Sequence, residues 1–253
     1  MATSTYNFSS EPLIQSCPLP KSMISHKGKS GASLTVTAEK IEPLSSFIKR
    51  HKKHLEYEVI ETLIESIGRQ LQHLERENMG IASFNIDDIT VFHAHAVDTD
   101  TDADTTATYT ATTTADTTTA DTTATVHFAI TNDDKIHEIN EDHHLVINAP
   151  YPKEYTNAAT ATTKNKGFHS PEFKEFISKK KVPYEIHFKS GYYSFGLLCM
   201  YCYVSRATTH TTTHTPSEKH LDEILAPIIN TKIYWFLKQV LQENPTSRRY
   251  ICV

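Results

Sequence analysis

Tyr192-Tyr193-Ser194-Phe195-Gly196-Leu197-Leu198-Cys199-Met200-Tyr201-Cys202-Tyr203-Val204 is the longest apolar stretch of the chain. It is apolar on nearly every face of a helix, so the sequence predicts a central, fully buried helix over residues 192–203. At this length it falls well short of the ~18 residues that cross a bilayer. Cys199 and Cys202 form a C-x-x-C inside it, with no second cysteine pair to complete a zinc site, so core packing is the expected role.

Outward from this helix, the rest of the chain reads as one domain of mixed elements. It has 253 residues, enough to bury a sizeable core. The formal net charge of −5 argues against a general nucleic-acid binder, which needs a basic face. The 15 histidines would raise that charge in mild acid. The first twenty residues hold no apolar core segment, so no signal peptide is read, and a soluble protein in a reducing, cytoplasmic compartment is expected without membrane association.

Residues 1–32 are weakly patterned. Residues 34–37 alternate as a strand, residues 41–44 form a break, and Leu44, Phe47 and Ile48 begin a short helix. Val59, Ile60, Leu63, Ile64, Ile67, Leu71 and Leu74 then recur at helical spacing, and Asn78 with Gly80 ends that helix. Strands are expected at 86–92, 126–131, 135–139 and 145–147. An amphipathic pair of helices follows over 221–241, broken near Pro227. A Thr-rich tract at 98–125 carries almost no apolar side chains to offset the entropy of ordering and reads as disordered, and two shorter Thr-rich tracts follow at 158–163 and 207–215.

Several polar groups invite a chemical reading. Asp87-Asp88 offers hard oxygen donors for Mg²⁺, against the plainer reading of an exposed turn. Asp133-Asp134 reads as a turn before a strand. The pairs His93 and His95, His143 and His144, and His210 and His214 lack the Cys or carboxylate set that completes a metal site, so solvated loop histidines are expected. Lys179-Lys180-Lys181 reads as a solvated charge run.

Three spaced fragments bring these elements into one order: Ser170-Pro171-Glu172, Tyr193-Ser194-Phe195-Gly196, and Asn244-Pro245 followed by Arg248. In this order they resemble the Ala-Pro-Glu, Trp-Ser-x-Gly and Asp-Pro-x-x-Arg landmarks of the eukaryotic-type protein kinase large lobe. The resemblance covers residues 33–253, and the general look is also similar to kinase-like proteins of large DNA viruses. It implies an α+β fold, mainly helical, in which a protein-kinase-like large lobe follows a truncated small lobe. Residues 1–32 would supply at most one small-lobe strand. Ala38-Glu39-Lys40 would be the hinge, with Glu39 and Lys40 the residues nearest a nucleotide. Residues 44–50 and 56–74 would be the two helices after the hinge, and all three Thr-rich tracts would fall in surface loops.

The same resemblance implies that the chemistry is lost. Phosphoryl transfer needs a Gly-rich cover, a Lys paired with a Glu, an Asp base and two metal ligands. The catalytic loop falls on Ile81-Ala82-Ser83-Phe84-Asn85-Ile86-Asp87-Asp88-Ile89. Ser83 takes the place of the base, Asn85 that of the Lys, and Asp88 that of the metal-binding Asn, where it could still hold a cation. Glu138-Ile139-Asn140 is the expected counterpart of the segment with the second metal ligand. Gly191 replaces the Asp that braces the catalytic loop. Gly28-Lys29-Ser30-Gly31 is too short and too near the hinge to serve as the cover. Glu172 and Arg248 remain at positions the family pairs as a buried ion pair, and with Ser194 and Gly196 they carry a structural role. The implied function is that of an inactive kinase-like domain, without a cofactor, that binds an unidentified protein. The alternative is an active or nucleotide-binding Ser/Thr kinase with non-standard residues, or a fragment of one, using Mg²⁺-ATP.

Loop-closure entropy changes by only about 0.6 kcal/mol per doubling of loop length. Replacing residues 98–125 with a short Gly-Ser turn is therefore expected to leave the melting temperature nearly unchanged. A large loss in a thermal melt would mean that the tract packs on the domain.

Overall fold

The computed structural model describes residues 3–28, 33–51, 55–94, 125–149, 167–179, 181–203 and 218–250. The Thr-rich tracts (apart from Thr125), His95, His210, His214, Lys180 and the 29–31 part of the glycine segment lie outside the described residues.

The N-terminal region is more ordered than its weak patterning predicts. Strand β1 (Ser4–Phe8), helix α1 (Glu11–Gln15), strand β2 (Ile24–Lys27) and strand β3 (Leu34–Ala38) build an antiparallel sheet in the order β1-β3-β2. Ser4, Tyr6 and Phe8 alternate inward along β1, while Thr5 and Asn7 face solvent. So the first 32 residues supply two strands and a helix, and the expectation of at most one strand is corrected. The break expected at 41–44 is also a strand, β4 (Lys40–Pro43).

Helix α2 (Leu44–Arg50) follows at once, then helix α3 (Tyr57–Arg76), whose apolar stripe from Val59 to Leu74 is buried. Asn78 takes a positive φ of 55° just beyond α3, the conformation that stops a helix. Strand β5 (Met79–Ile81) leads to β6 (Phe84–Asn85), a 3₁₀ turn over Ile86–Asp88, and the hairpin of β7 (Ile89–Ala94) with β8 (Thr125–Ile130). The strand expected from residue 86 therefore begins three residues later, because 86–88 wind into the turn. The sheet order is β4-β7-β8. On one face of the hairpin Ile89, Val91, Phe128 and Ile130 are fully buried, and on the other face Phe92 is fully buried as well. Gln70 of α3, itself fully buried, accepts from Ile130 N–H at 2.8 Å and donates to Ile130 O at 3.3 Å, so the end of β8 is satisfied by a side chain of the helix.

Strand β9 (Ile136–Glu138) pairs with β5, and β10 (His144–Ile147) with β12 (Tyr184–His187). β11 (Gly167–Phe168) pairs with β6, and helix α4 (Pro171–Lys179) stands between β11 and β12. Helix α5 (Ser190–Tyr203) is the central helix, buried from Ser190 through Met200. Helix α6 (Glu218–Leu225) and, after a 3₁₀ turn at Ala226–Ile228 around Pro227, helix α7 (Lys232–Val240) follow, and α7 packs against α5. The result is an α+β fold in which helix takes somewhat less than half of the described residues. No described helix is long and apolar enough to cross a membrane.

Two glycines let α5 sit this deep. A Cβ on Gly191 would lie 2.1 Å from the Ile81 carbonyl oxygen, and one on Gly196 would lie 2.5 Å from Val240 Cγ2. At Gly196 the neighbour is a side chain that can shift, but at Gly191 it is backbone. Gly191→Ala is thus expected to lower unfolding free energy by about 1–3 kcal/mol, the usual cost of overpacking. Urea denaturation reads this as a lower midpoint, and an unchanged midpoint would contradict the close approach.

Candidate functional site

Ile81, Ala82, Ser83, Asn85 and Asp88 all lie on the stretch between α3 and β7, and all are buried. Ile81 is fixed by its pairing with Ile136, and Asn85 by its pairing with Gly167. Phe84 N–H donates to Ser194 Oγ at 2.6 Å, and the Ser194 hydroxyl donates to Phe168 O. One hydroxyl on α5 therefore holds both members of the β6–β11 pair. Ser83 is fully buried, and its Oγ has no hydrogen-bond partner.

Asp88 is buried, which corrects the plainer reading of an exposed turn; Asp87 is the exposed one and accepts from Ser45 N–H at 3.3 Å. Both carboxylate oxygens of Asp88 are engaged. Oδ2 accepts from Asn85 N–H at 2.6 Å and from Lys135 Nζ at 2.6 Å, and Oδ1 accepts from Asn132 Nδ2 at 2.8 Å. Thr131 N–H adds a bond to Asp88 O at 3.0 Å. Lys135 is 3% exposed, so the ion pair is cut off from water. Burial pushes the Lys135 ammonium below the usual lysine range, and the Asp88 charge opposes that shift. A divalent cation at Asp88 would have to displace this ammonium, so the donor set as arranged does not fit one. Among the described residues no group of three or more His, Cys, Asp or Glu is placed to hold a metal.

The residue that returns to Asp88 after β8 is Asn132, with Lys135 three positions on. Glu138, the expected counterpart, instead lies on β9 opposite Met79. Asn132 and Lys135 carry no motif; their one signal is position, in the polar run 131–135 just beyond the alternating Val126, Phe128 and Ile130.

Glu39 and Lys40 link the β1-β3-β2 sheet to the β4-β7-β8 sheet. Glu39 N–H donates to His93 O at 2.9 Å, so that backbone donor is already used. Lys40 pairs with Glu42 at 3.0 Å, and Glu42 also meets Arg50 and, at 2.8 Å, His93 Nε2. Burial alone would raise the Glu42 carboxyl, yet its bonds from Arg50, Lys40 and His93 hold it below the ordinary value. Beside this junction Tyr6 and Phe8 of β1 close on Phe92 of β7, with ring centroids 5.8 and 6.3 Å away. Tyr6 OH reaches Thr131 O at 3.4 Å, one residue before Asn132.

Glu172 and Arg248 meet on the far side of α5. Arg248 Nη2 donates to Glu172 Oε1 at 2.6 Å. The Arg248 side chain is fully buried and also donates to the carbonyls of Gln242 at 2.8 Å, Glu243 at 2.9 Å and Lys189 at 3.4 Å. Its guanidinium lies 4.7 Å from the Tyr193 ring centroid. Ser170 caps α4 by accepting from Phe173 N–H at 3.2 Å and bonds Ser190 at the start of α5.

No family model matches this chain, and no curated protein matches it.

Breaking a buried pair strands its partner's charge, at a cost of about 3–5 kcal/mol. Lys135→Met is expected to lose stability of that order in chemical denaturation. Adding Asp88→Leu to Lys135→Met should restore part of the loss, because no buried charge is then left alone. A Lys135→Met protein as stable as the wild type would contradict the closed network.

Proposed function

We propose that this chain is a catalytically inactive protein-kinase-like domain that acts in the cytoplasm by binding another protein. The observation that carries the reading is the Asp88 site. A kinase positions a carboxylate base, two metal ligands and a phosphate-binding Lys around the transferred group, and the barrier falls only when these act together. Here the base position holds a hydroxyl, Ser83, and Asp88, at the position of the metal-binding Asn, is neutralised by Lys135. The other carboxylate oxygen of Asp88 is taken by an amide, Asn132.

The small sheet supports the same conclusion. In a kinase a Lys-bearing strand and a Glu-bearing helix precede the last two small-lobe strands. β1 and α1 have that order relative to β2 and β3, but β1 holds no Lys. Its inward face is aromatic and packs on Phe92, in the cleft where a nucleotide would enter. Glu11 of α1 is exposed and bonds Gln15 at 3.0 Å. Glu39 N–H, a hinge donor, is spent on His93 O. Meanwhile the supports of the body persist: Ser194 on both strands of its pair, Gly196 against Val240, and Glu172 on Arg248. A body kept in register without its chemistry has its surface to offer, hence protein binding.

Ligands that bind only the folded state raise its stability by RT ln(1 + [L]/Kd), about 2.7 kcal/mol at 100 Kd. Millimolar Mg²⁺-ATP is expected to leave the melting temperature unchanged. Purified protein should transfer no label from ATP to generic substrates. Turnover by the wild type that disappears in Asp88→Ala would overturn the reading in favour of an active enzyme.

A further inference from the structure

Two hydrophobic cores of unequal size make up the interior. The smaller draws Leu145, Ile147, Phe173, Phe176 and Ile186 from β10, α4 and β12, joined by Ala82 of the main body. The polar ties of this unit to the body include the Arg248–Glu172 pair and the Ser170–Ser190 bond.

The β10–β12 register sets His144 opposite His187, with the rings edge to face and centroids 5.8 Å apart. His187 Nδ1 accepts from Lys189 N–H at 3.2 Å, so that nitrogen carries a lone pair and the ring is neutral. A proton added there turns the acceptor into a donor aimed at another N–H. The new charge would face His144 of β10, Lys189 at the turn into α5 and Arg248 of the C-terminal turn, with Glu172 of α4 opposing them. Asp142, His143, Glu175 and Glu185 line the same cleft.

We propose that β10, α4 and β12 form an acid-released flap: protonation of His187 against His144 frees the unit while the helical core stays folded. Burial, then the charges of His144, Lys189 and Arg248, hold His187 down to about 4 against an ordinary 6.5. The open flap takes up its proton near 6.5 and the closed flap only near 4. Closure is therefore fully stable above 6.5 and weakens as pH falls from 6.5 toward 4. His127 of β8, held near 4 by burial, and His137 of β9, also lowered, tie the main body to the same pH window. The body has the far larger core to oppose opening, so location decides the test.

The experiment is hydrogen exchange by mass spectrometry on the full chain at pH 7.5 and 5.0, corrected for intrinsic rates. The whole His187 shift would change the opening equilibrium about 30-fold at pH 5. Solvent around the half-buried ring reduces this to about five- to tenfold. Peptides from β10 and β12 should lose that much protection relative to peptides from α3. In His187→Asn, whose amide oxygen can replace the Nδ1 acceptor without titrating, the loss should vanish. His144→Gln, which removes the facing imidazole, should make it smaller. Equal protection at both pH values, equal loss across α3, or an acid loss unchanged in either variant would overturn the proposal.

Discussion

The buried guanidinium of Arg248 is the constraint on which the helical half of the molecule depends. A charge excluded from water is tolerable only when its donors are satisfied and its charge is balanced. Arg248 meets both demands by drawing on Glu172 of α4, the backbone between α7 and the C-terminal turn, and Lys189 at the entry to α5. Glu172, Lys189 and the segment from Gln242 to Arg248 are thereby fixed to one point. The Tyr193 ring beneath the guanidinium extends that point into the central helix, whose buried faces organise the remaining helices.

From this anchor the geometry runs to the Asp88 site through α5. Gly191 lets the helix start against the Ile81 carbonyl, and Ser194 holds Phe84 and Phe168. The stretch between them is thus held at both ends. A rigid loop can hold reactive groups at a cost in stability, or it can be closed by pairing its charges internally. The Lys135–Asp88–Asn132 network follows the second course. Tyr6, Phe8 and Phe92 close the junction of β1 with β7 by apolar burial.

Much of the fold was legible in the sequence, and the reasons are physical. α3 announces itself because an exposed helix on a core must repeat its apolar residues at helical spacing, and α5 because a helix buried all round needs no polar face. Glu172, Ser194, Gly196 and Arg248 could be named from the order of short fragments. β1 and β2 were hidden because short edge strands carry little pattern, and their pairing with β3 depends on contacts remote in sequence. Lys135 and Asn132 were missed because they reach Asp88 only after a hairpin whose connection holds the longest Thr-rich tract. Nothing local marks a lysine that will be buried against a carboxylate 47 positions away. The single-strand reading of residues 1–32 failed for the same reason as β1: its inward Tyr6 and Phe8 gain meaning only once Phe92 lies opposite.

The most direct measurement is an experimental structure of the full chain grown with Mg²⁺ and a non-hydrolysable ATP analogue. The expected result is Lys135 on Asp88, Tyr6 and Phe8 packed on Phe92, and no nucleotide between the β1-β3-β2 sheet and β7. A nucleotide in that cleft, with its metal on Asp88 and Lys135 displaced, would contradict it.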